Sequence, residues 1–430
     1  MNIRLCLTSV SLFAIVAIAC EIATAQTDWN QWRGPSWDSV AADDTIVDVL
    51  DETTQLWRTK MPGPAGSSPI VVGDRVFVTS IEDDQLRVLC LDAVTGEERW
   101  SKKVSGKNKK RGDSSNSASN SPSSDGKHLW TMFGNGQINC FTVEGEPVWE
   151  KNLQDEYGKF DIMFGMATTP LLHDGQLIFS LIHGNMKDPK GSVGKIISLD
   201  AANGSENWVH LRKTDATKEN KHVYTSPIVA EIEGESQLIV HGADYTTGHQ
   251  LSDGKEIWRL GGMNPKGDTY IPTLRFVSSP TSFNGTIVVP SAKRKAIWAF
   301  KPTSTGALST EHITWKNRKA TPDVASPVVY QDLVFLAREN GTMLSLDLKT
   351  GETLTEKRML ASKHRSTPVA VDGKLVVVGR KGNLLMLKAD ADLTQISTFD
   401  LGEESTASPA VSNGRLFVRT FEALYAFGEK

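Results

Sequence analysis

Eight Ser/Thr-Pro pairs punctuate this 430-residue chain, at Ser68-Pro69, Ser121-Pro122, Thr169-Pro170, Ser226-Pro227, Ser279-Pro280, Ser326-Pro327, Thr367-Pro368 and Ser408-Pro409. Each opens the same run: a short β-branched strand, a tight turn, a second strand, a loop, a third strand ending near Asp, a Gly turn, and a strand closing on Trp. Residues 67–100, SSPIVVGDRVFVTSIEDDQLRVLCLDAVTGEERW, show it most fully. A four-stranded sheet of this size cannot bury both faces alone, so successive copies must stack. Four strands repeating every 40 to 50 residues or so is the signature of a β-propeller.

The turns agree with that reading. Gly73-Asp74, Asp174-Gly175, Asn284-Gly285, Asp372-Gly373 and Asn413-Gly414 fall between first and second strands, and several are dipeptides whose tolerance of positive φ suits a tight hairpin. Between third and fourth strands the sequences CLDAVTGEERW, SLDAANGSENW and HQLSDGKEIW end at Trp100, Trp208 and Trp258, with looser versions ending at Trp149 and Trp315. The Gly supplies the left-handed turn, and the Trp offers a broad apolar plate to the neighbouring unit.

The last copy stops near Gly428, after its third strand, without a fourth. Residues 54–59, TQLWRT, read as a fourth strand lacking a first three. An all-β, eight-bladed propeller of four-stranded antiparallel blades is therefore expected over residues 54–430, the Trp57 strand completing the last blade and closing the ring. Residues 26–53 form a leader whose Trp29, Trp32 and Trp37 need burial, so it is expected to pack on the domain surface.

Residues 1–25 read as a signal peptide: Arg4, an apolar run from Leu5 to Ala19 and the A-x-A site Ala23-Thr24-Ala25. The run is too short to span a bilayer, so the mature chain is expected to be exported, to the periplasm or cell envelope, with no transmembrane segment. Cleavage before Cys20, with lipidation there, is the competing reading. Export would leave Cys90 and Cys140, at equivalent places in successive repeats, and they are expected as buried free thiols rather than a disulfide. A net charge of -4 with 39% hydrophobic residues gives no sign of a nucleic-acid partner, and a monomer is expected.

The repeat resembles the PQQ-like, quinoprotein-type β-propeller family, which includes quinoprotein alcohol dehydrogenases and the outer-membrane assembly propeller BamB. Residues 90–100, 198–208 and 248–258 look like its tryptophan-docking motif, and residues 29–35, WNQWRGP, look like the W-x-x-W-R-G-P leader of secreted members. The resemblance implies the fold and does not imply a substrate. Its dehydrogenases carry an adjacent cysteine pair, a calcium site and a catalytic Asp. This sequence has no Cys-Cys, and neither a calcium set nor a catalytic Asp can be matched residue by residue.

In such blades the loops joining second to third strands, and those joining blades, share the face that rims the central funnel. There Arg294, Arg338, Arg380, His364 and Arg365 form a basic arc from the later blades, suited to gripping an anionic ligand; solvated loop charge is the alternative. The apolar loop 157–167 is expected to pack on its own blade, with a cap over the funnel or a protein-binding patch as the alternatives. Arg111-Gly112-Asp113 is not taken as an adhesion signal, and residues 188–195, DPKGSVGK, fail as a phosphate loop because Pro189 replaces its first Gly. The nine histidines show no metal-ligand spacing. The functional expectation is a non-catalytic, BamB-like scaffold binding an envelope protein. Two alternatives stay open: a diverged PQQ-dependent dehydrogenase using PQQ with calcium, and recognition of an anionic polysaccharide.

Overall fold

The computed structural model describes residues 27–109, 116–291, 295–319 and 321–430. The expected signal peptide, Cys20, Arg111-Gly112-Asp113 and Arg294 lie outside the described residues.

Eight sheets, each built on four antiparallel strands, are arranged as the repeat requires, two of them carrying a fifth strand in parallel. Blade 1 runs Ile70–Val72, Arg75–Glu82, Gln85–Asp92 and Glu98–Lys107 from inner to outer strand. Blades 2 to 7 have inner strands at Ser123–Ser124, Leu171–His173, Ile228–Ile232, Thr281–Phe283, Val328–Tyr330 and Val369–Val371. Blade 8 takes Ala410–Ser412, Arg415–Arg419 and Ala423–Phe427 from the C-terminus and its outer strand, Gln55–Lys60, from the N-terminus. Trp57 pairs with Ala426 and Thr59 with Leu424, so the ring closes as the strand count predicted.

A β-bulge recurs at one place in every blade. The register between third and fourth strands slips by one residue just before Trp57, Trp100, Trp149, Trp208, Trp258 and Trp315, and at the matching Thr355 and Ser397. A bulge re-aims a side chain, and here it turns each indole towards the next blade. Trp57, Trp100, Trp149, Trp208 and Trp315 donate from Nε1 to the carbonyls of Ala93, Val143, Ala201, Leu251 and Leu348, each on the following blade. Their rings cover the turn glycines: a Cβ on Gly351, at φ +71°, would stand 2.4 Å from the Trp315 ring. Trp258 departs from the pattern. Blade 5 has no such glycine turn, so Trp258 donates to Gln237 of its own blade and meets blade 5 edge-on through Phe300.

Inter-blade cores follow from this stacking. The largest cluster joins blades 7, 8 and 1 and takes in Trp29, Ile46 and Leu50 of the leader. Blade 7 has Ser397 where six blades have Trp, and the N–H of Leu50 donates to its Oγ. The thiols of Cys90 and Cys140 are buried and free. Burial pushes both up to about 12, which removes the thiolate that reactivity requires.

Candidate functional site

The inner strands leave an axial opening, and the Ser/Thr-Pro pairs surround it. Each of the eight hydroxyls accepts a hydrogen bond from the backbone N–H of its counterpart on the preceding blade. The bonds run Ser68 to Ser121 (3.0 Å), Ser121 to Thr169 (3.3 Å), Thr169 to Ser226 (2.9 Å) and Ser226 to Ser279 (2.9 Å). They continue from Ser279 to Ser326 (3.0 Å), Ser326 to Thr367 (3.0 Å), Thr367 to Ser408 (2.9 Å) and Ser408 back to Ser68 (2.9 Å). The circle is closed. A side-chain oxygen is needed at every copy because each buried N–H would otherwise lack a partner. Proline then fixes φ and removes a donor at the next position.

The axis is stopped from the opposite face by the leader, which reaches further inward than its sequence suggested. Trp29 bridges to Val71 of blade 1, and Asn30 exchanges bonds with Ser124 of blade 2. Gln31 accepts from the N–H of Leu172 on blade 3, while Val40–Ala41 pairs in parallel with the inner strand of blade 7. At the centre Arg33 is 1% exposed. Its guanidinium donates to the carbonyls of Pro280 and Pro327, on blades 5 and 6, and to Ser39 Oγ. Burial, partly offset by Asp38, lowers its pKa to about 10, so it remains charged at neutral pH. The turn that delivers it needs glycine at position 34, where φ is +78° and a Cβ would lie 2.9 Å from the Trp29 ring.

Between hydroxyl circle and plug lies an axial cavity of about 120 Å3, bordered by all eight hydroxyl residues, by Trp32 and by Arg365. Arg33 stands 5.6 Å from the Trp32 ring centroid.

The basic arc is dispersed. Arg338 pairs at 2.6 Å with Glu356 on the outer strand of its own blade. Arg380 pairs with Glu404 at 3.2 Å and lies over the Phe421 ring. Arg365 reaches Glu339 at 3.6 Å and borders the axial cavity. His364 is 1% exposed, and burial, opposed by the Ser366 backbone, lowers its pKa to about 4; it is a neutral core group. Of the four described arc residues, Arg365 alone reaches the cavity.

Loop 157–167 packs into the seam between blades 2 and 3 rather than on one blade: Ile162 and Met166 are buried, and Tyr157, Phe160 and Phe164 pack against the core that those two blades share. Two imidazoles pin it, His183 Nδ1 accepting from the N–H of Asp161 and His222 Nδ1 from that of Met163. Sequence reasoning missed the two histidine pins, the hydroxyl circle and the axial role of Trp32. The circle had a signal, since no structural need for Ser or Thr before Pro had been supplied. The histidine contacts had none.

PQQ does not fit the axial cavity. Sites for molecules of that size span roughly 300 to 1,000 Å3, and this one holds about 120 Å3 with one arginine on its wall. Among the described residues no group of three or more His, Cys, Asp or Glu is placed to hold a metal ion, and no helix is long and apolar enough to cross a membrane.

Comparison with known proteins agrees with the architecture. The family described as outer membrane protein assembly factor BamB matches residues 43–112 and 111–357. Among solved structures, BamB from Moraxella catarrhalis superposes with a TM-score of 0.60 at 14% identity, covering 88% of this chain and 98% of its own. Quinohemoprotein alcohol dehydrogenase from Comamonas testosteroni gives 0.62 at 12%, covering 94% and 80%. The computationally designed Ika8 protein gives 0.59 at 10%, covering 87% and 99%. Likeness at this identity extends to the fold alone. A search of curated protein sequences finds no match.

Proposed function

The chain belongs to the family of the outer membrane protein assembly factor BamB, and on that premise we propose that it is an exported, non-catalytic scaffold that binds a protein partner in the cell envelope. The observation that carries this reading is the self-plugged axis. The leader fills with its own Arg33 and tryptophans the space where a propeller would hold a large ligand, and it bonds to the inner strands around the ring. The described arginines of the rim pair with the chain's own carboxylates. What remains for recognition is the rigid rim, where Met163 is 41% exposed at the tip of the pinned loop. The signal-peptide reading of residues 1–25 supports the location.

Two measurements test the proposal. Purified mature protein titrated with PQQ and calcium should show no saturable fluorescence change and no dye-linked alcohol oxidation; cofactor-dependent turnover would overturn the non-catalytic reading. A photoreactive residue at position 163 in cells should give one discrete adduct in the envelope fraction. Cytoplasmic retention of the chain would sink the location.

A further inference from the structure

We propose that the axial cavity is a binding site for a small free oxyanion, with the eight inner-strand hydroxyls as donors, Arg365 as the wall cation and Trp32 as the floor. This is independent of the scaffold reading.

Three observations converge on it. The first is the hydroxyl circle. Each oxygen is already an acceptor, occupied by the N–H of the preceding blade. Its own hydrogen is left over, and among the described residues none of the eight is seen to donate to a protein acceptor. All eight residues are more than nine-tenths buried, from 1% exposed at Ser279 and Ser326 to 7% at Ser408, and all border the same cavity. A buried donor without an acceptor is costly, so the circle asks for a guest rich in acceptor atoms.

The second is the charge beneath the floor. Arg33 is fully buried, and its polar contacts are neutral: two carbonyls and one hydroxyl. It approaches the Trp32 ring, and Trp32 in turn borders the cavity. Asp38 acts on it electrostatically, and the pKa of Asp38 is itself raised, first of all by burial. A guest of negative charge above Trp32 would help balance a guanidinium that the fold leaves in a poorly screened place.

The third is Arg365, which brings a second guanidinium to the wall while also facing Glu339 at 3.6 Å. Size limits the guest. A cavity of about 150 Å3 holds a benzene-sized molecule, and this one measures about 120 Å3, so sulfate, nitrate or a short carboxylate fits and a polysaccharide residue chain does not. Hydroxyls around the whole circle favour a guest with three or four acceptor oxygens.

The test is a titration of the full mature protein, followed by indole and amide NMR, with sodium sulfate, nitrate and acetate at constant ionic strength. The Trp32 indole signal, assigned by Trp32→Phe, should shift saturably with at least one of them, together with the amides of the circle. Arg365→Gln should weaken that binding at least tenfold, whereas Arg365→Lys should largely retain it. Both variants must melt within a few degrees of the parent. The proposal is overturned by the absence of a saturable Trp32 shift up to tens of millimolar, or by equal affinity in the parent and Arg365→Gln. If Arg365→Gln fails to fold, Arg365→Met takes its place in the same titration: weakening of at least tenfold supports the site, and affinity equal to that of the parent overturns it.

Discussion

Arg33 and Pro280 are separated by almost 250 positions in the chain, yet the guanidinium Nη1 of one donates to the carbonyl of the other at 2.6 Å. The same side chain reaches Pro327 at 3.0 Å. One buried cation thus ties the leader to two neighbouring blades at the axis.

Arg33→Ala would leave both carbonyls without that donor in a dry place. A hydrogen bond from a charged donor contributes about 1.5 to 3 kcal/mol, so the variant should lose about 3 kcal/mol or more, read from urea midpoints. Hydrogen exchange should rise first in the inner strands of blades 5 and 6. Arg33→Lys, keeping one donor, should lose less. Equal exchange in all blades would mean that the plug is not an axial tie.

The hydroxyl circle predicts a sharp contrast at a single residue. Thr367→Val keeps shape and volume but strands the buried N–H of Ser326, a loss of about 1 to 3 kcal/mol. Thr367→Ser keeps the acceptor and should stay close to the parent in thermal melts. Similar melting of the two variants would remove the circle's role in stability.

Why the fold was legible and the site was not can be read from particular residues. Blade boundaries are local: Pro, Gly and Trp act within a few positions of where they stand, so strands, turns and the ring-closing Trp57 strand could be counted from the chain. Trp100 and Gly145 meet because each blade repeats its neighbour. The described arc residues diverge because sequence order around the rim says nothing of where a long side chain points. Arg338 turned outward to Glu356 and His364 inward to the core. The leader's path is a contact between residues hundreds of positions apart, set by the shape of the opening rather than by any repeat.

Trp docking has a residue-level test on blades 5 and 6. Trp315 is 7% exposed and donates to Leu348 at 2.7 Å. Trp315→Phe should cost about 1 to 3 kcal/mol for the stranded carbonyl, and Trp315→Ala about 3 to 5 kcal/mol with the cavity added. Gly351→Ala should cost about 2 kcal/mol from positive φ and the ring clash. Near-ultraviolet circular dichroism should lose the same tryptophan band in Trp315→Phe and in Gly351→Ala, because both undo one contact. Separate spectral changes would mean that the glycine acts only on its own turn.

Acid sensitivity follows from imidazoles buried in neutral form. Burial lowers His241 and His364 to about 4 and His249 to about 3, and partial desolvation lowers the half-buried His183 to about 4, from an ordinary value of 6.5. For a base whose folded pKa is depressed, the unfolded chain takes up the proton first. Stability is therefore complete above pH 6.5 or so and falls as pH drops towards 4, with a slope of up to about 1.4 kcal/mol per pH unit for each imidazole. Below that window the folded state protonates too, and His183 then loses the lone pair that accepts from Asp161, releasing loop 157–167. The Ser366 backbone lies near enough to act weakly on His364, but neither ring nitrogen completes a hydrogen bond of good geometry among the described residues, so His364→Leu should hold its stability at pH 7 and flatten the slope between pH 6 and 4.5. Urea unfolding at half-unit pH steps reads both. A slope unchanged by His364→Leu would show that His364 is not one of the groups driving it.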